Sequence, residues 1–148
     1  MTVEIKRAMQ SDLGRIAELF DDYRVFYKQS SDKELALKFI TERFNNNESV
    51  IFYAIDNEGN HVGFTQLYPS FSSVSAQRCW VLNDLYVSKD VRSLGVGTLL
   101  LNKAKNYAIK TNTKGIKLET GKDNIGAQKL YQKLGYKKDS DFSYFLSV

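Results

Sequence analysis

Val81-Leu-Asn-Asp-Leu-Tyr-Val-Ser-Lys-Asp-Val-Arg-Ser-Leu-Gly-Val-Gly-Thr-Leu-Leu-Leu101 decides how this chain is read. Its first part is a strand, because Val81, Leu82, Leu85, Tyr86 and Val87 are strand formers in a short run. Ser88, Lys89 and Asp90 break the run. Arg92-Ser93-Leu94-Gly95-Val96-Gly97 follows, and Thr98 with the apolar Leu99, Leu100 and Leu101 begins a helix. Gly95 and Gly97 let the backbone approach a ligand with no side chain in the way. The first amides of a helix lack internal partners, and the helix dipole adds partial positive charge there. A strand, a glycine turn and a helix in that order can therefore hold phosphates. Arg92 sets a permanent cation at the mouth of the turn.

Two phosphate-binding patterns do not fit. A P-loop needs Gly-x-x-x-x-Gly-Lys-Ser/Thr, and no such run occurs. A dinucleotide fold needs Gly-x-Gly-x-x-Gly/Ala directly after a strand. Here Leu100 stands where the third small residue belongs, and polar residues separate the strand from the glycines. A plain tight turn is the bland alternative at this point.

At 148 residues the chain is long enough for one core and is read as a single domain, 1–148. A net charge of +4 favours an anionic ligand, but the basic residues are scattered and form no long run, so a nucleic-acid stripe is not indicated. Cys79 is the only cysteine and His61 the only histidine, which leaves no disulfide framework and no zinc site; no metal is expected. A lone cysteine fits a reducing, cytoplasmic setting. No apolar run is long enough to span a membrane, and the N-terminus does not read as a signal peptide.

In chain order, Val3 and Ile5 alternate with charge in a first strand. Ser11 or Asp12 caps a helix whose apolar face is Leu13, Ile16, Phe20, Tyr23 and Tyr27, interrupted by Asp21, Asp22 and Arg24. Ser31-Asp-Lys-Glu34 has capping-box spacing and starts a second helix with the stripe Ala36, Phe39, Ile40 and Phe44. Val50 to Ile55 and Val62 to Tyr68 are strands joined by Asp56-Asn-Glu-Gly59-Asn60. Pro69-Ser-Phe71 reads as a bulge or loop that interrupts the ladder. Gln77 to Val87 is the next strand, Thr98 to about Thr111 a helix, and Ile116 to Thr120 a strand. Ala127, Leu130, Tyr131 and Leu134 then share one helical side, and Gly135 stops that helix. Tyr136 to Lys138 and Phe142 to Leu146 are expected as closing strands. The order β-α-α-β-β-β-α-β-α-β-β is irregular and points to an α/β (α+β) mixed sheet flanked by helices rather than a doubly wound one.

Two motifs carry a family resemblance. Arg92-x-x-Gly95-x-Gly97 matches the Arg/Gln-x-x-Gly-x-Gly/Ala turn of the GNAT superfamily of N-acetyltransferases. Asn124, Ala127, Leu130, Tyr131, Lys133, Gly135 and Tyr136 fit the family's late helix pattern, Asn-x-x-Ala-x-x-Leu-Tyr-x-Lys-x-Gly-Phe/Tyr. The chain resembles this superfamily closely over its second half and in element order over its first. The resemblance implies a GNAT-like acyl-CoA N-acyltransferase fold with a central, mostly antiparallel mixed sheet. It also implies an N-acetyltransferase that moves acetyl from acetyl-CoA to a primary amine by direct attack in a ternary complex.

The resemblance assigns roles residue by residue. The strand amides of Leu85, Tyr86 and Val87 hold the pantetheine and thioester carbonyl. The amides of Arg92, Ser93, Leu94, Gly95, Val96, Gly97 and Thr98 hold the pyrophosphate. Asn124, with Ala127 and Lys133 of the same helix, binds the coenzyme on its other side, and Tyr131 is the general acid. An alkyl ammonium, with a pKa near ~10, must lose its proton before it can attack, the thioester oxygen needs a donor, and the departing thiolate benefits from a proton. Polyamine-acetylating relatives place Glu-Asp-x-x-Val before the turn. This chain has Asn83-Asp84-Leu85-Tyr86-Val87, so an amide replaces the glutamate base. Strand alternation puts Asp84 on the opposite face from Asn83; water chains to Asp84 or Glu119 stay open as proton routes.

The acceptor pocket is expected to draw on Asp22, Tyr23, Tyr27, Tyr68, Phe71 and Trp80, beside Asn83 and Asp84, because aromatics with carboxylates suit a cationic amine. Tyr23-Arg-Val-Phe-Tyr27 and Tyr68-Pro-Ser-Phe71 are similar to segments of the yeast histone and polyamine acetyltransferase group. Acceptor classes left open are a small cationic amine, an amino acid, an aminoglycoside and a protein lysine. A catalytically silent coenzyme A sensor is the alternative that Asn83 favours and Tyr131 opposes. The resemblance also implies a homodimer through the C-terminal sheet edge, with Phe142, Tyr144 and Phe145 as candidates.

Overall fold

The computed structural model describes residues 2–148. One compact unit, of which residues 2–118 are described, contains β1 (Val3–Arg7), α1 (Leu13–Phe26), α2 (Lys33–Asn45), β2 (Val50–Asp56), β3 (His61–Ser72), β4 (Gln77–Val87), α3 (Val96–Lys110) and β5 (Ile116–Lys117). A second, residues 119–148, contains α4 (Ile125–Lys133). The sheet runs β1-β2-β3-β4-β5; β1 to β4 are antiparallel and β5 joins β4 in parallel. No helix among the described residues is long and apolar enough to cross a membrane.

Alternation along the strands supplies two apolar faces. Ile51, Tyr53 and Phe64 pack with Leu13, Ile16, Leu19 and Phe20 of α1 and Ala36 and Ile40 of α2. Phe20 stacks on Phe39 at 5.5 Å and meets Phe64 edge-on at 6.4 Å, geometries aromatic quadrupoles favour. Phe52, one residue out of phase, meets Tyr107 of α3 at 5.4 Å. The stripe Val96, Leu100, Leu101, Ala104 and Ala108 buries α3 at helical spacing.

Asp21 corrects the reading of the first helix. It does not break the apolar face as a solvated charge: it is 2% exposed, accepts from the Ser31 hydroxyl at 2.6 Å and from the Asp32 amide at 2.8 Å, and so ties α1 to the start of α2. Asp32, not Ser31, caps α2, its side chain accepting from the Leu35 amide at 3.0 Å. The hydrogen bond from Ser31 and that from Asp32 outweigh desolvation and hold the Asp21 carboxyl below the usual range.

Three strand expectations also change. Pro69 does not interrupt β3, which continues to Ser72 with Pro69 opposite Trp80. The last pair with β2 is Val50 with Leu67, so Pro69 lies where β3 has become an edge and its missing N–H costs no ladder bond. β5 is two residues long and ends at Lys117. Residues 134–148 form no strand, and Phe142, Tyr144 and Phe145 stand exposed; their alternation has no ladder to join among the described residues.

The ladder of β3 and β4 holds an irregularity that positions the site. Gln66 pairs with Asp84, but Leu67 pairs with Leu82, so Asn83 is an extra residue in β4. Such a bulge shifts the phase of alternation. The Asn83 side-chain amide donates to the Asp84 carboxylate at 2.8 Å, so the two side chains meet instead of pointing apart as regular alternation predicts. Asp84 is 1% exposed, and burial drives its pKa up to about 6, opposed by hydrogen bonds from Asn83, Gln66 and Tyr23.

Two outcomes test this account of the fold. Asp21→Ala should lower the unfolding free energy by about 1–3 kcal/mol at pH 7, the cost of removing a buried acceptor from two donors. Because the folded pKa of Asp21 lies below its unfolded value, that deficit should shrink as pH falls through the acidic range. Asp84 has the opposite sign. Its folded pKa is raised from 3.8, so its charge destabilises the native state progressively as pH rises from about 4 to about 6. Asp84→Asn should therefore gain stability over the wild type as pH rises, by on the order of 3 kcal/mol above pH 7. Urea unfolding from pH 4 to 8 measures both, and a pH-independent difference for Asp84→Asn would contradict its assigned burial cost.

Candidate active site

Beyond β4 a single 3-10 turn, Lys89–Val91, leads to the glycine turn and α3. Gly95 is the N-cap of α3 with φ of 84°, a left-handed conformation that glycine adopts without strain. No side chain caps this helix. The first intrahelical bond is from the Leu99 amide to the Gly95 carbonyl at 3.1 Å. The amides of Val96, Gly97 and Thr98 are therefore the donors that a helix start leaves without internal acceptors. With the helix dipole they offer partial positive charge at the turn to which the sequence assigns the phosphates.

Arg92 also holds the turn to the sheet. Its Nε donates to the Val87 carbonyl at 2.9 Å, and its guanidinium lies 5.4 Å from the Phe26 ring centre and 5.5 Å from that of Tyr86. It fastens the end of β4 to the turn and to α1, a cation–π arrangement that still leaves charge beside the turn.

The β5 side of β4 is open over the segment the sequence assigns to pantetheine. Pairing with β5 covers Trp80 and Val81 only, so from Leu82 to Val87 no strand is paired on that side among the described residues. Unpaired backbone donors and acceptors at a strand edge are ready to bind an extended, amide-containing chain. Leu85, Tyr86 and Val87 are all half-buried there.

Behind this edge the structure brings together a polar network that the sequence only partly signals. Gln66 donates through Nε2 to Asp84 at 2.6 Å and to the Tyr68 hydroxyl at 3.2 Å. Tyr23 donates to the Asn83 carbonyl at 3.2 Å and stacks edge-on with Tyr27 at 5.0 Å and Tyr86 at 6.4 Å. Burial and then the Asp84 charge hold the phenols of Tyr23 and Tyr68 well above their usual range, so both are neutral donors. Gln66 is fully buried and its Oε1 has no partner, an acceptor left unsatisfied in a tight site. A glutamine within the strand run Val62 to Leu67, whose only other polar residue is Thr65, was the available sequence signal.

The remaining pocket candidates separate. Asp22 is exposed on α1, its carboxyl raised by partial burial and by the Asp21 charge. Phe71 is 68% exposed on β3, with Arg78 over its ring at 5.5 Å. Trp80 is on the α3 face of the sheet, where its indole N–H donates to Thr111 at 3.0 Å and its ring packs on Tyr107 at 5.5 Å. It therefore stands apart from Tyr23 and Tyr68. His61 stacks on Tyr53 at 4.5 Å, and burial depresses its pKa. Among the described residues no group of three or more His, Cys, Asp or Glu side chains could hold a metal.

In the second unit the late motif has a local structural logic. Asn124 is the N-cap of α4, its Oδ1 accepting from the Ala127 amide at 3.3 Å, which leaves its Nδ2 donor for other use. The helix ends in a Schellman motif: the Gly135 amide bonds the Gln132 carbonyl at 3.1 Å and the Tyr136 amide bonds the Tyr131 carbonyl at 3.0 Å. Gly135 has φ of 96°, which explains the glycine. Tyr136 also meets the Tyr131 ring at 5.8 Å, and burial lifts its phenol to about 12. Gly135 and Tyr136 thus fix Tyr131 on the last turn of α4, while Lys133 is exposed.

Comparison with known proteins places this arrangement. Residues 15–136 match the model of the acetyltransferase (GNAT) family. An uncharacterized N-acetyltransferase of Bacillus subtilis is 45% identical over 143 residues, 97% of this chain and 95% of the relative. The crystal structure of a probable acetyltransferase superimposes with a TM-score of 0.92 at 40% identity, covering 98% of this chain and 97% of the other. A yeast D-amino-acid N-acetyltransferase is 33% identical over 87 residues, 58% of this chain and 54% of its own. The mixed sheet, the glycine turn and the late helix are accordingly those of an acetyltransferase, and the chain belongs to the GNAT family.

Proposed function

We propose that the two units together form one N-acetyltransferase domain that transfers acetyl from acetyl-CoA to a primary amine by direct attack in a ternary complex. The observation that carries the reading is the uncapped start of α3 beside the open edge of β4. The amides of Val96, Gly97 and Thr98, joined by those of the turn from Arg92 to Gly95, bind the pyrophosphate. The open edge from Leu85 to Val87 binds the pantetheine arm and donates to the thioester carbonyl as charge builds on its oxygen. The Asn124 Nδ2 donor, with Ala127 and Lys133 on the same helix, contributes to coenzyme binding.

The amine nitrogen attacks the thioester carbon, the carbon–sulfur bond breaks, and coenzyme A leaves as its thiol. Tyr131 supplies the proton to the departing sulfur. Asn83 cannot remove the proton from the incoming ammonium, because an amide is not a base at neutral pH. Asp84, ionised above about pH 6 and linked through Gln66 to Tyr68, attracts the amine and accepts that proton through water. Tyr23 and Tyr27 contribute the aromatic wall for the cation. The acceptor is a small cationic amine or an amino acid, in line with the substrate named for the yeast relative. We place the reaction in the cytoplasm, and take Phe142, Tyr144 and Phe145, exposed at the C-terminus, as a homodimer contact.

Thiol release from acetyl-CoA with a panel of amines tests the reading. Tyr131→Phe should bind coenzyme A with unchanged affinity and lose about 100-fold or more in kcat. Unchanged turnover would remove Tyr131 from the chemistry, and tight coenzyme binding with no turnover on a broad panel would favour a sensor. Sedimentation as a monomer at micromolar concentration would exclude the C-terminal contact.

A further inference from the structure

A cleft of about 510 Å³ opens on the α2 side of the unit, lined by Phe39, Arg43, Asn47, Glu48, Tyr68 and Pro69. Tyr68 connects it to the buried network, because the hydroxyl of this lining residue takes a hydrogen bond from the same Gln66 amide that holds Asp84. Burial and then the Asp84 charge raise the Tyr68 phenol, and the Arg43 charge opposes them. Tyr68 thus joins the cleft that Arg43 lines with it to the buried Asp84 carboxylate.

Arg43 is held by its neighbours. It sits in the last turn of α2, its guanidinium 4.7 Å over the Phe39 ring. Its Nε donates to Glu48 at 3.1 Å, and Glu42 lies 3.6 Å from Nη2 on the outer side. The chain from Asn46 to Glu48 folds back so that the Glu48 amide reaches the Arg43 carbonyl at 2.9 Å, with Asn47 at φ of 55°. Stacking and the Glu48 bond fix the plane of the fork, and Nη2 keeps an ion pair with the Glu42 carboxylate at 3.6 Å that a ligand carboxylate would share. A planar fork oriented in this way suits a carboxylate and not a second ammonium.

Building on the N-acetyltransferase reading, we propose that the acceptor is a free α-amino acid, its amine directed to the Asp84–Gln66 side of Tyr68 and its carboxylate held by Arg43. Arg43 is then a specificity-determining residue, and Glu48 and Phe39 position it. A diamine placed along the same path would set its distal ammonium against the guanidinium. Decarboxylation of a good acceptor should therefore lose binding even though the reacting amine is unchanged.

The test compares acetyl transfer to a set of free amino acids with transfer to the amines made by decarboxylating them, lysine with cadaverine and leucine with isopentylamine among them. The wild type should favour the amino acid in kcat/KM by roughly tenfold or more. Arg43→Gln should abolish that preference by raising KM for amino acids, with kcat/KM for the decarboxylated amines little changed. Arg43→Lys, which keeps the charge but not the fork, should recover it only in part. A general structural defect would depress both substrate classes alike, and thermal unfolding of each variant separates that case. A wild type that prefers the amines or diamines, or an Arg43→Gln variant that loses both classes equally while folded, overturns the assignment and leaves the acetyltransferase reading standing. Coenzyme A binding without turnover of any amino acid also overturns it. Failure to bind coenzyme A at all would instead overturn the underlying reading.

Discussion

One extra residue in β4 sets the geometry on which the rest of the site depends. Asn83 has no partner in β3, so Leu82 and Asp84 pair with the adjacent residues Leu67 and Gln66 and fall on opposite faces of the sheet. Leu82 stays in the apolar layer, and Asp84 is carried into the layer of α1. Without the bulge, regular alternation would put residues 82 and 84 on one face, and Leu82 and Asp84 could not each keep its own layer. Tyr23 takes the bulge carbonyl, and Gln66 and Asn83 take the carboxylate. The network satisfies most of its members but leaves Asp84 with a desolvated charge and Gln66 with an unfilled acceptor. Such costs are tolerated in a fold where a site requires them.

The strand also ends in a way that couples fold to ligand. β5 pairs with two residues of β4 and then stops, so the rest of that edge pairs with no strand among the described residues. An open edge is a liability in a stable sheet unless something is meant to cover it. Here the same strand leads through Arg92, which grips Val87, into a helix whose first amides lack a side-chain cap. In the proposed complex, edge and helix start offer donors to two different parts of one extended anionic ligand. Neutralising Asp84 should stabilise the protein for the same reason that it should harm acceptor binding.

How much was legible in the sequence follows from how local each signal is. The turn at Gly95 and the stop at Gly135 were read correctly because a positive φ selects glycine residue by residue. The hairpin at Asp56 to Asn60 was read for the same kind of reason, and there the Asp56 carboxylate binds the amides of Glu58 and Asn60. The bulge left no such mark, since Asn83 needs no special residue type and is defined only by its partner strand. Asp21 was misread because a charge on an apolar face is ordinarily solvated, and its ligands at Ser31 and Asp32 belong to the next helix. Pro69 was misread because proline excludes a central strand but not a stretch that has become an edge. The aromatic alternation at Phe142 to Phe145 reports a half-buried strand only when a partner ladder exists. Arg43 and Glu48 carried no motif at all; the cleft they line exists only once α2 is folded against β3.

The most direct test of the central claim, that the start of α3 and the edge of β4 form the coenzyme site, is a titration of isotope-labelled protein with coenzyme A followed by backbone amide NMR. The account predicts saturable shifts concentrated at the amides of Val96, Gly97 and Thr98 and along Leu85 to Val87. Saturable binding that leaves those amides unmoved, or no binding at all, would contradict it.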